Sequence, residues 1–151
     1  MNIYRQWRRL QTLPGGKWLF SKLLGRMAPY TGTINARIEV LEPCHARVRM
    51  EDRRAVRNHL DSVHAIALMN LAEVTSGLAL IVALPDDARS ILTGLSIEYL
   101  KKARGTLTAE CRCAAPETGE RREHTIQAVI RDGAGDVVAR AAARWMVGPR
   151  E

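Results

Sequence analysis

One acidic residue stands alone in an otherwise apolar stretch of the chain. Glu73 lies in the middle of residues 65–84, a run rich in Ala and Leu in which the other polar side chains are Asn70, Thr75 and Ser76. Burying an unpaired carboxylate is costly, so Glu73 must be ion-paired, protonated or part of a site. In a site, such a carboxylate can act as a general base or as a nucleophile.

Two further residues with useful chemistry precede this run. His64 lies nine positions before Glu73, which at about 100° per residue places the two on opposite sides of one helix. Two antiparallel copies of the chain, related by a two-fold axis, would instead bring His64 of one copy to Glu73 of the other. Asn58 could orient a substrate or a water molecule through its amide. Asn70 and Gly77 share the helix face of Glu73.

The apolar run itself predicts a long helix that is buried on nearly all sides. Asp61 and Ser62 are candidate N-cap residues just before it, and Pro85 follows its end. A transmembrane helix of this length is the rival interpretation. It is disfavoured because Asn70 and Glu73 would lie near the bilayer centre, where such groups are costly, and because no second hydrophobic span occurs.

The other segments predict an antiparallel sheet preceded by helices. Residues 3–27 have a helical pattern with a break at 14–16, and residues 29–32 form a predicted turn. Trp7 and Trp18 are predicted to anchor the packing of this helical part. Alternating apolar and polar residues predict six strands, with bounds 34–40, 46–50, 90–101, 105–114, 122–131 and 137–147. The predicted fold class is therefore α+β, with an antiparallel sheet wrapped around one buried helix.

The candidate residues resemble the motif of hot-dog-fold thioesterases. The pattern Asn58-x-x-Asp61-x-x-His64, followed nine residues later by Glu73, is similar to that of phenylacetyl-CoA and hydroxybenzoyl-CoA thioesterases. The same stretch also resembles a poorly characterised hot-dog subfamily. The likeness continues through residues 97–105, which resemble the strand after the helix in that family.

The resemblance implies a fold, an activity and a set of partners. The fold is a hot-dog domain over residues 33–151, with residues 1–32 as an extra N-terminal helical segment. The activity is hydrolysis of an acyl thioester, carried by coenzyme A or an acyl-carrier protein, at a site on the interface of a homodimer or homotetramer. No cofactor is implied beyond the coenzyme A that belongs to the substrate.

The resemblance also assigns roles to individual positions. The expected catalytic residues are Glu73, His64 and Asn58. The N–H groups that have no partner at the start of the helix would polarise the thioester carbonyl. The expected oxyanion and substrate-binding positions are Ala65, Asp61, Asn70, Ser76 and Gly77. Cations at a strand end would bind the coenzyme A phosphates, namely Lys101, Lys102 and Arg104.

Three departures from the family pattern support an alternative function. Asp61 stands where the family commonly has Gly, Ala65-Ile66 replaces two glycines, and Gly77 stands where some relatives have a hydroxyl. Glycine would let the backbone approach a thioester closely, so these changes bear on turnover and substrate size. The alternative is a non-catalytic acyl-binding or scaffold dimer with the same fold.

Composition excludes several other classes of protein. The net charge of +7 and the pI of about 9.9 suit an acidic ligand such as coenzyme A. Nucleic-acid binding is disfavoured because the basic residues are dispersed and no nucleic-acid-binding motif occurs. The histidines and cysteines lack metal-ligand spacing, so no metal is predicted. Cys44, Cys111 and Cys113 predict free thiols, and no signal peptide is evident, so a cytoplasmic protein without a transmembrane segment is expected.

Overall fold

The fold was analysed in a computed structural model that describes residues 2–150. This part of the chain contains four α-helices and six β-strands. The helices are α1 (Ile3–Leu10), α2 (Gly16–Met27), α3 (Pro29–Gly32) and α4 (Ala65–Ile81). The strands are β1 (Arg37–Glu42), β2 (His45–Met50), β3 (Ala88–Tyr99), β4 (Leu107–Arg112), β5 (Arg122–Arg131) and β6 (Val137–Pro149).

The six strands form one antiparallel sheet in the order β1-β2-β4-β5-β6-β3. One face of the sheet packs around α4, so the predicted α+β architecture is confirmed. The expected strand bounds differ from the observed ones by three residues or fewer. The predicted turn at 29–32 is wrong, because Pro29 begins the short helix α3, and proline suits the first position of a helix.

Helix α4 is buried on most of its circumference, as its composition predicts. The positions in α4 that are not fully buried are Ala65, Ile66, Met69, Glu73 and Ile81. Of these, Ile66, Met69 and Glu73 follow the spacing i, i+3, i+7, which aligns them on one face. We call this line of three residues the open stripe of α4. Within residues 2–150, no helix is both long and apolar enough to cross a membrane.

The N-terminal helices cover one edge of the sheet. The backbone N–H of Ile38 in β1 donates to Ser21 Oγ of α2 at 3.0 Å, and Lys17 Nζ donates to the carbonyl of Glu39 at 2.8 Å. Side chains of α2 therefore occupy hydrogen-bonding groups that an edge strand would otherwise leave unpaired. The opposite edge strand, β3, pairs only with β6 among the described residues 2–150.

The two predicted tryptophan anchors differ in the structure. Trp7 is 1% exposed and meets Phe20 edge to face, with ring centroids 5.1 Å apart. Both rings belong to the same hydrophobic core as α4 and the sheet. The anchor prediction is wrong for Trp18, which is 52% exposed and lies beside Lys22. The proposed boundary between residues 32 and 33 remains a prediction.

Replacing Trp7 is expected to destabilise the whole domain. Trp7→Ala should lower the free energy of unfolding by about 3–5 kcal/mol, because it leaves a large cavity in a shared core. Trp18→Ala is the matched control and should change it by no more than about 0.5 kcal/mol. Urea unfolding followed by circular dichroism measures both. A separate early transition confined to residues 2–32 would contradict the shared core.

Candidate functional site

The Glu73 carboxylate lies on the open stripe in the third turn of α4. It is partly buried, and that burial raises the pKa of Glu73 above the usual range of glutamate. Within residues 2–150, it forms no hydrogen bond or ion pair. An unpaired, partly desolvated carboxylate is a common feature of functional sites rather than of hydrophobic cores.

Gly77 leaves room for an indole ring beside this carboxylate. A Cβ atom at Gly77 would lie 3.1 Å from the ring of Trp145 and 3.9 Å from Glu73 Oε1. Trp145 projects from β6 onto the helix and is 5% exposed. A larger residue at position 77 would have to displace this ring. The close approach of Trp145 therefore favours glycine at position 77.

Ser76 serves the packing of the same region. Its hydroxyl donates to the carbonyl of Glu73 at 3.0 Å and accepts from Trp145 Nε1 at 3.3 Å. Ser76 is fully buried, so both hydrogen bonds lie inside the core. They hold the indole against α4. The expected substrate-binding role of Ser76 remains a prediction, whereas its structural role is visible.

His64 is the N-cap of α4. Its ring Nδ1 accepts from the backbone N–H of Ile66 at 3.0 Å. The backbone N–H of His64 donates to the carbonyl of Val56 at 2.8 Å. The predicted caps, Asp61 and Ser62, are therefore wrong. Because Nδ1 accepts, the neutral ring carries its proton on Nε2, which has no partner within residues 2–150.

The loop before α4 is organised by Asn58. Its Oδ1 accepts from the backbone N–H of Leu60 at 2.9 Å and of Ser62 at 3.3 Å. This turn uses the residues that were expected to cap the helix. Asp61 adopts a left-handed conformation with φ of 54°, and its carboxylate pairs with Arg57 at 2.8 Å. Glycine adopts this conformation freely and aspartate tolerates it, so the family's backbone shape is compatible with Asp61.

The first helical residue, Ala65, presents an N–H group with no partner within residues 2–150. It stands at the positive end of α4, where the helix dipole favours negative charge. The carbonyl of Ala65 accepts from the hydroxyl of Tyr99 at 3.0 Å. Tyr99 thereby ties the end of β3 to the start of α4. The neighbouring N–H of Ile66 is used by His64, so Ala65 offers the free donor at this end of α4 within residues 2–150. The oxyanion role of Ala65 remains a prediction.

Two cavities lie between α4 and the segment that contains α2 and α3. The smaller one, of about 390 Å³, is lined by His64 and Asn70. The larger one, of about 780 Å³, extends beneath α2 and α3 to Val74. Thr33 lines both cavities. Asn70 is 8% exposed, and its Nδ2 donates to the carbonyl of Tyr30 at 3.2 Å, which fastens α3 to α4.

The three cations expected at the coenzyme A phosphates have different surroundings. Lys101 Nζ contacts Asp132 at 2.6 Å and Asp136 at 2.8 Å, so it pins the turn between β5 and β6. Arg104 donates to two backbone carbonyls of the loop before α4. Lys102 is exposed and has no partner within residues 2–150. Phosphate binding by these residues remains a prediction.

Most of the chain matches one known protein family. A family described as "Domain of unknown function (DUF4442)" matches residues 16–147. The chain belongs to this family. Among curated proteins, none is significantly similar to the chain.

Solved structures place this DUF4442 protein in a larger group. A crystal structure of a genomics target is 30% identical, with a TM-score of 0.85 and coverage of 98% of each chain. A Pseudomonas aeruginosa protein described as of unknown function and a probable thioesterase is 26% identical, with a TM-score of 0.79 over 91% of this chain and 97% of that one. A thioesterase family protein from Silicibacter pomeroyi shares the fold at 17% identity, with a TM-score of 0.74 over 86% of this chain and 96% of that one. The chain has the hot-dog fold and belongs to the hot-dog thioesterase superfamily.

Within one copy of this DUF4442 chain, His64 and Glu73 do not meet. Nine helical residues correspond to about 13 Å along the axis, and the two positions face opposite sides. Asn58 is held in its turn next to His64, so it also lies away from Glu73. One chain therefore presents two halves of the predicted site at separate places on α4.

Sequence reasoning missed two residues that shape these halves. Trp145 flanks the space beside Glu73, and Tyr99 anchors the start of α4. Tyr99 lies in the 97–105 segment that resembles the family, which is the one signal that pointed to it. Trp145 is placed by the register of β6 in the sheet, and its position along the last strand carries no signal of its own.

Proposed function

We propose that this protein hydrolyses an acyl thioester, carried by coenzyme A or an acyl-carrier protein, with Glu73 as the general base. The observation that carries the proposal is the Glu73 carboxylate, which is unpaired within residues 2–150 and lies on the open stripe. A charge in that place costs stability, and no packing contact in the core requires it. The thioesterase descriptions of the Pseudomonas and Silicibacter proteins support the same chemistry.

A homodimer would complete the site. The edge of β1 is covered by α2, whereas β3 is a twelve-residue edge strand with exposed apolar side chains such as Ile91 at 66%. Long uncovered edges of this kind are normally paired or protected. A second copy paired along β3 would extend the sheet and cover the open stripe. In that dimer, the N-terminus of α4 from one copy faces Glu73 of the other.

The chemistry then divides between the two copies. The Ala65 N–H, at the positive end of α4, stabilises the oxyanion that forms when the thioester carbonyl is attacked. The Nε2–H of His64 donates to the acyl group or its carbonyl. Glu73 of the other copy takes a proton from water as that water attacks the carbonyl carbon. The carbon–sulfur bond breaks, and the departing thiolate takes up the proton. No cofactor beyond the coenzyme A of the substrate is part of this proposal.

The larger cavity beneath α2 and α3 is proposed to receive the acyl group. It adjoins the cavity at His64 through Thr33, and its lining is mostly apolar. A hydrophobic acyl chain or ring would gain free energy from burial there. Its volume of about 780 Å³ is large enough for such a group.

Filling this cavity is expected to select against long acyl groups. Ala36 lines it and is partly buried, so Ala36→Phe should lower kcat/KM for long-chain acyl-CoA by about tenfold or more. Acetyl-CoA turnover should change little, because a short acyl group does not reach the filled space. Ala134→Phe, in the exposed turn after β5, is the matched control. An equal loss on short and long substrates would contradict the acyl assignment.

The decisive test is a panel of acyl-CoA and acyl-carrier substrates. A thiol-reactive chromogenic reagent measures the free thiol that hydrolysis releases. Saturable turnover on at least one substrate supports hydrolysis. Saturable binding without turnover on every substrate overturns it and supports the non-catalytic acyl-binding dimer. A strictly monomeric protein in analytical ultracentrifugation would overturn the shared site.

A further inference from the structure

Two cysteines that are distant in sequence lie side by side at the far end of α4. The N–H of Cys113 donates to the carbonyl of Cys44 at 2.9 Å, and the N–H of Cys44 donates to the carbonyl of Ala79 at 3.0 Å. They are the next opposed residues after the pair His45 and Arg112 in the β2–β4 register. Cys44 lies in the turn between β1 and β2 with φ of 65°, so a single backbone hydrogen bond, the one donated by Cys113, joins this pair. A disulfide requires Cα atoms about 4.4–6.8 Å apart, and two residues joined in this way lie close enough to form one.

The third cysteine supports the reactivity of Cys113. Cys111 is buried, while Cys44 and Cys113 are half-buried and thus reachable by small molecules. A hydrogen bond from the Cys111 thiol, with a weaker one from Cys44, lowers the pKa of Cys113 to about 7 although burial opposes this. Burial raises the pKa of Cys44, and the hydrogen bond to Cys113 raises that of Cys111. Of the three thiols, Cys113 is therefore the one that ionises most readily near neutral pH.

Cys113 also lines a cavity with an unusual polar atom. The cavity has a volume of about 570 Å³ and includes His124 from β5. His124 Nε2 is buried and has no hydrogen-bond partner within residues 2–150. Buried polar atoms are rarely left without a partner, and a small polar molecule beside Cys113 would supply one.

We propose that Cys113 is an oxidant-sensitive modification site, at which hydrogen peroxide forms a sulfenic acid and Cys44 then closes a cross-strand disulfide. Cys111 lies in β4, two residues before Cys113, at the upper limit of disulfide reach, and it is buried, so Cys44 is the resolving residue. The peroxide occupies the cavity shared with His124.

The steps balance without any further reagent. The Cys113 thiolate attacks one oxygen of hydrogen peroxide, the O–O bond breaks, and hydroxide leaves and becomes water. Sulfur is oxidised by two electrons and the peroxide is reduced. The Cys44 thiol then loses its proton and attacks the sulfenic sulfur; the S–S bond forms, the S–O bond breaks, and water leaves.

This site is separate from the proposed acyl site. Cys44 is hydrogen-bonded to Ala79, near the C-terminal end of α4. The proposed oxyanion donor, Ala65, is at the other end, about 21 Å from Ala79 along the helix axis. Oxidation of Cys113 therefore does not depend on thioester hydrolysis, and a failure of either proposal leaves the other standing.

The test exposes the full-length reduced protein to hydrogen peroxide, blocks remaining thiols with iodoacetamide and maps peptides by mass spectrometry. A peptide pair joined through Cys44 and Cys113 is expected, with Cys111 alkylated only after denaturation. Cys44→Ser should stop at the sulfenic acid, which dimedone traps on Cys113. Iodoacetamide labelling of Cys113 in the unoxidised protein should reach half its maximal rate near pH 7.

Two controls keep the outcome interpretable. Cys113→Ser should abolish disulfide formation, and thermal unfolding shows whether this variant is folded. Cys111→Ala should move the midpoint of Cys113 labelling to higher pH, because it removes the main hydrogen-bond donor. A disulfide through Cys111, oxidation of the three cysteines at equal rates, or no oxidation of the native protein would each overturn the proposal.

Discussion

Glu73→Gln is expected to lower kcat for thioester hydrolysis by about 10²–10⁴-fold, the usual contribution of a positioned general base. The substitution keeps the size and shape of the side chain, so Gly77 and Trp145 retain their packing around it. Glu120→Gln, on an exposed loop, is the matched control and should leave kcat unchanged. Free thiol release with a saturating acyl-CoA measures both. Near wild-type turnover in the Glu73 variant would show that another group activates the water.

The same variant should be more stable than the native protein at neutral pH. Because burial raises the pKa of Glu73, the folded state keeps its proton to a higher pH than the unfolded chain does. The stability contributed by the protonated form is complete below the pKa of the unfolded chain and is lost as pH rises through the raised pKa. The difference in free energy of unfolding between the variant and the wild type should therefore disappear at acidic pH. A variant less stable at neutral pH would indicate a structural ion pair at Glu73.

Wild-type activity should have the opposite pH dependence to this stability. Hydrolysis requires the ionised carboxylate, so kcat/KM should rise with pH through the raised pKa of Glu73. The midpoint should lie above the usual range of a glutamate. Raising the pH therefore increases activity and decreases stability through the same residue, a trade-off that is common at functional sites.

Local pattern was sufficient to predict α1, α2, α4 and the six strands, but it missed the short helix α3 and the N-cap of α4. The apolar composition of residues 65–84 predicted α4, because a helix buried on all faces has few polar residues. Alternation of apolar and polar residues predicted every strand, because a strand buried on one face repeats every two residues. The cap was misassigned, because Asp61 and Ser62 are good caps in isolation. Asn58 captures that loop in a turn of its own, and His64 is left to cap the helix.

The site could be predicted only in outline. Glu73 was found because a carboxylate in an apolar run needs an explanation. Its surroundings depend on Trp145, whose place follows from strand register, and no local feature of the sequence reports register. The thiol pair was missed for the same reason, because Cys44 and Cys113 become neighbours only when β2 pairs with β4.

Ala65→Pro is expected to lower kcat by about 10²–10³-fold, the cost of removing one oxyanion donor. Proline replaces the N–H, which has no partner within residues 2–150, with a ring carbon, and the first helical position accepts proline well. The preceding residue, His64, already has ψ of 140°, which suits a residue before proline. Thermal stability should be retained. Ala65→Gly is the matched control, because it keeps the N–H group and should keep most of the turnover.

A mixed dimer distinguishes a shared site from a site within one chain. If the oxyanion donor and the base come from different copies, a dimer of one Ala65→Pro chain and one Glu73→Gln chain has one intact site and one doubly altered site. Purified through two different tags, it should recover about half of the wild-type activity, since symmetric dimers carry two equivalent sites. If both groups act within one chain, each site contains one substituted residue. The mixed dimer is then as inactive as the two variant homodimers. The separation of His64 and Glu73 on α4 favours recovery.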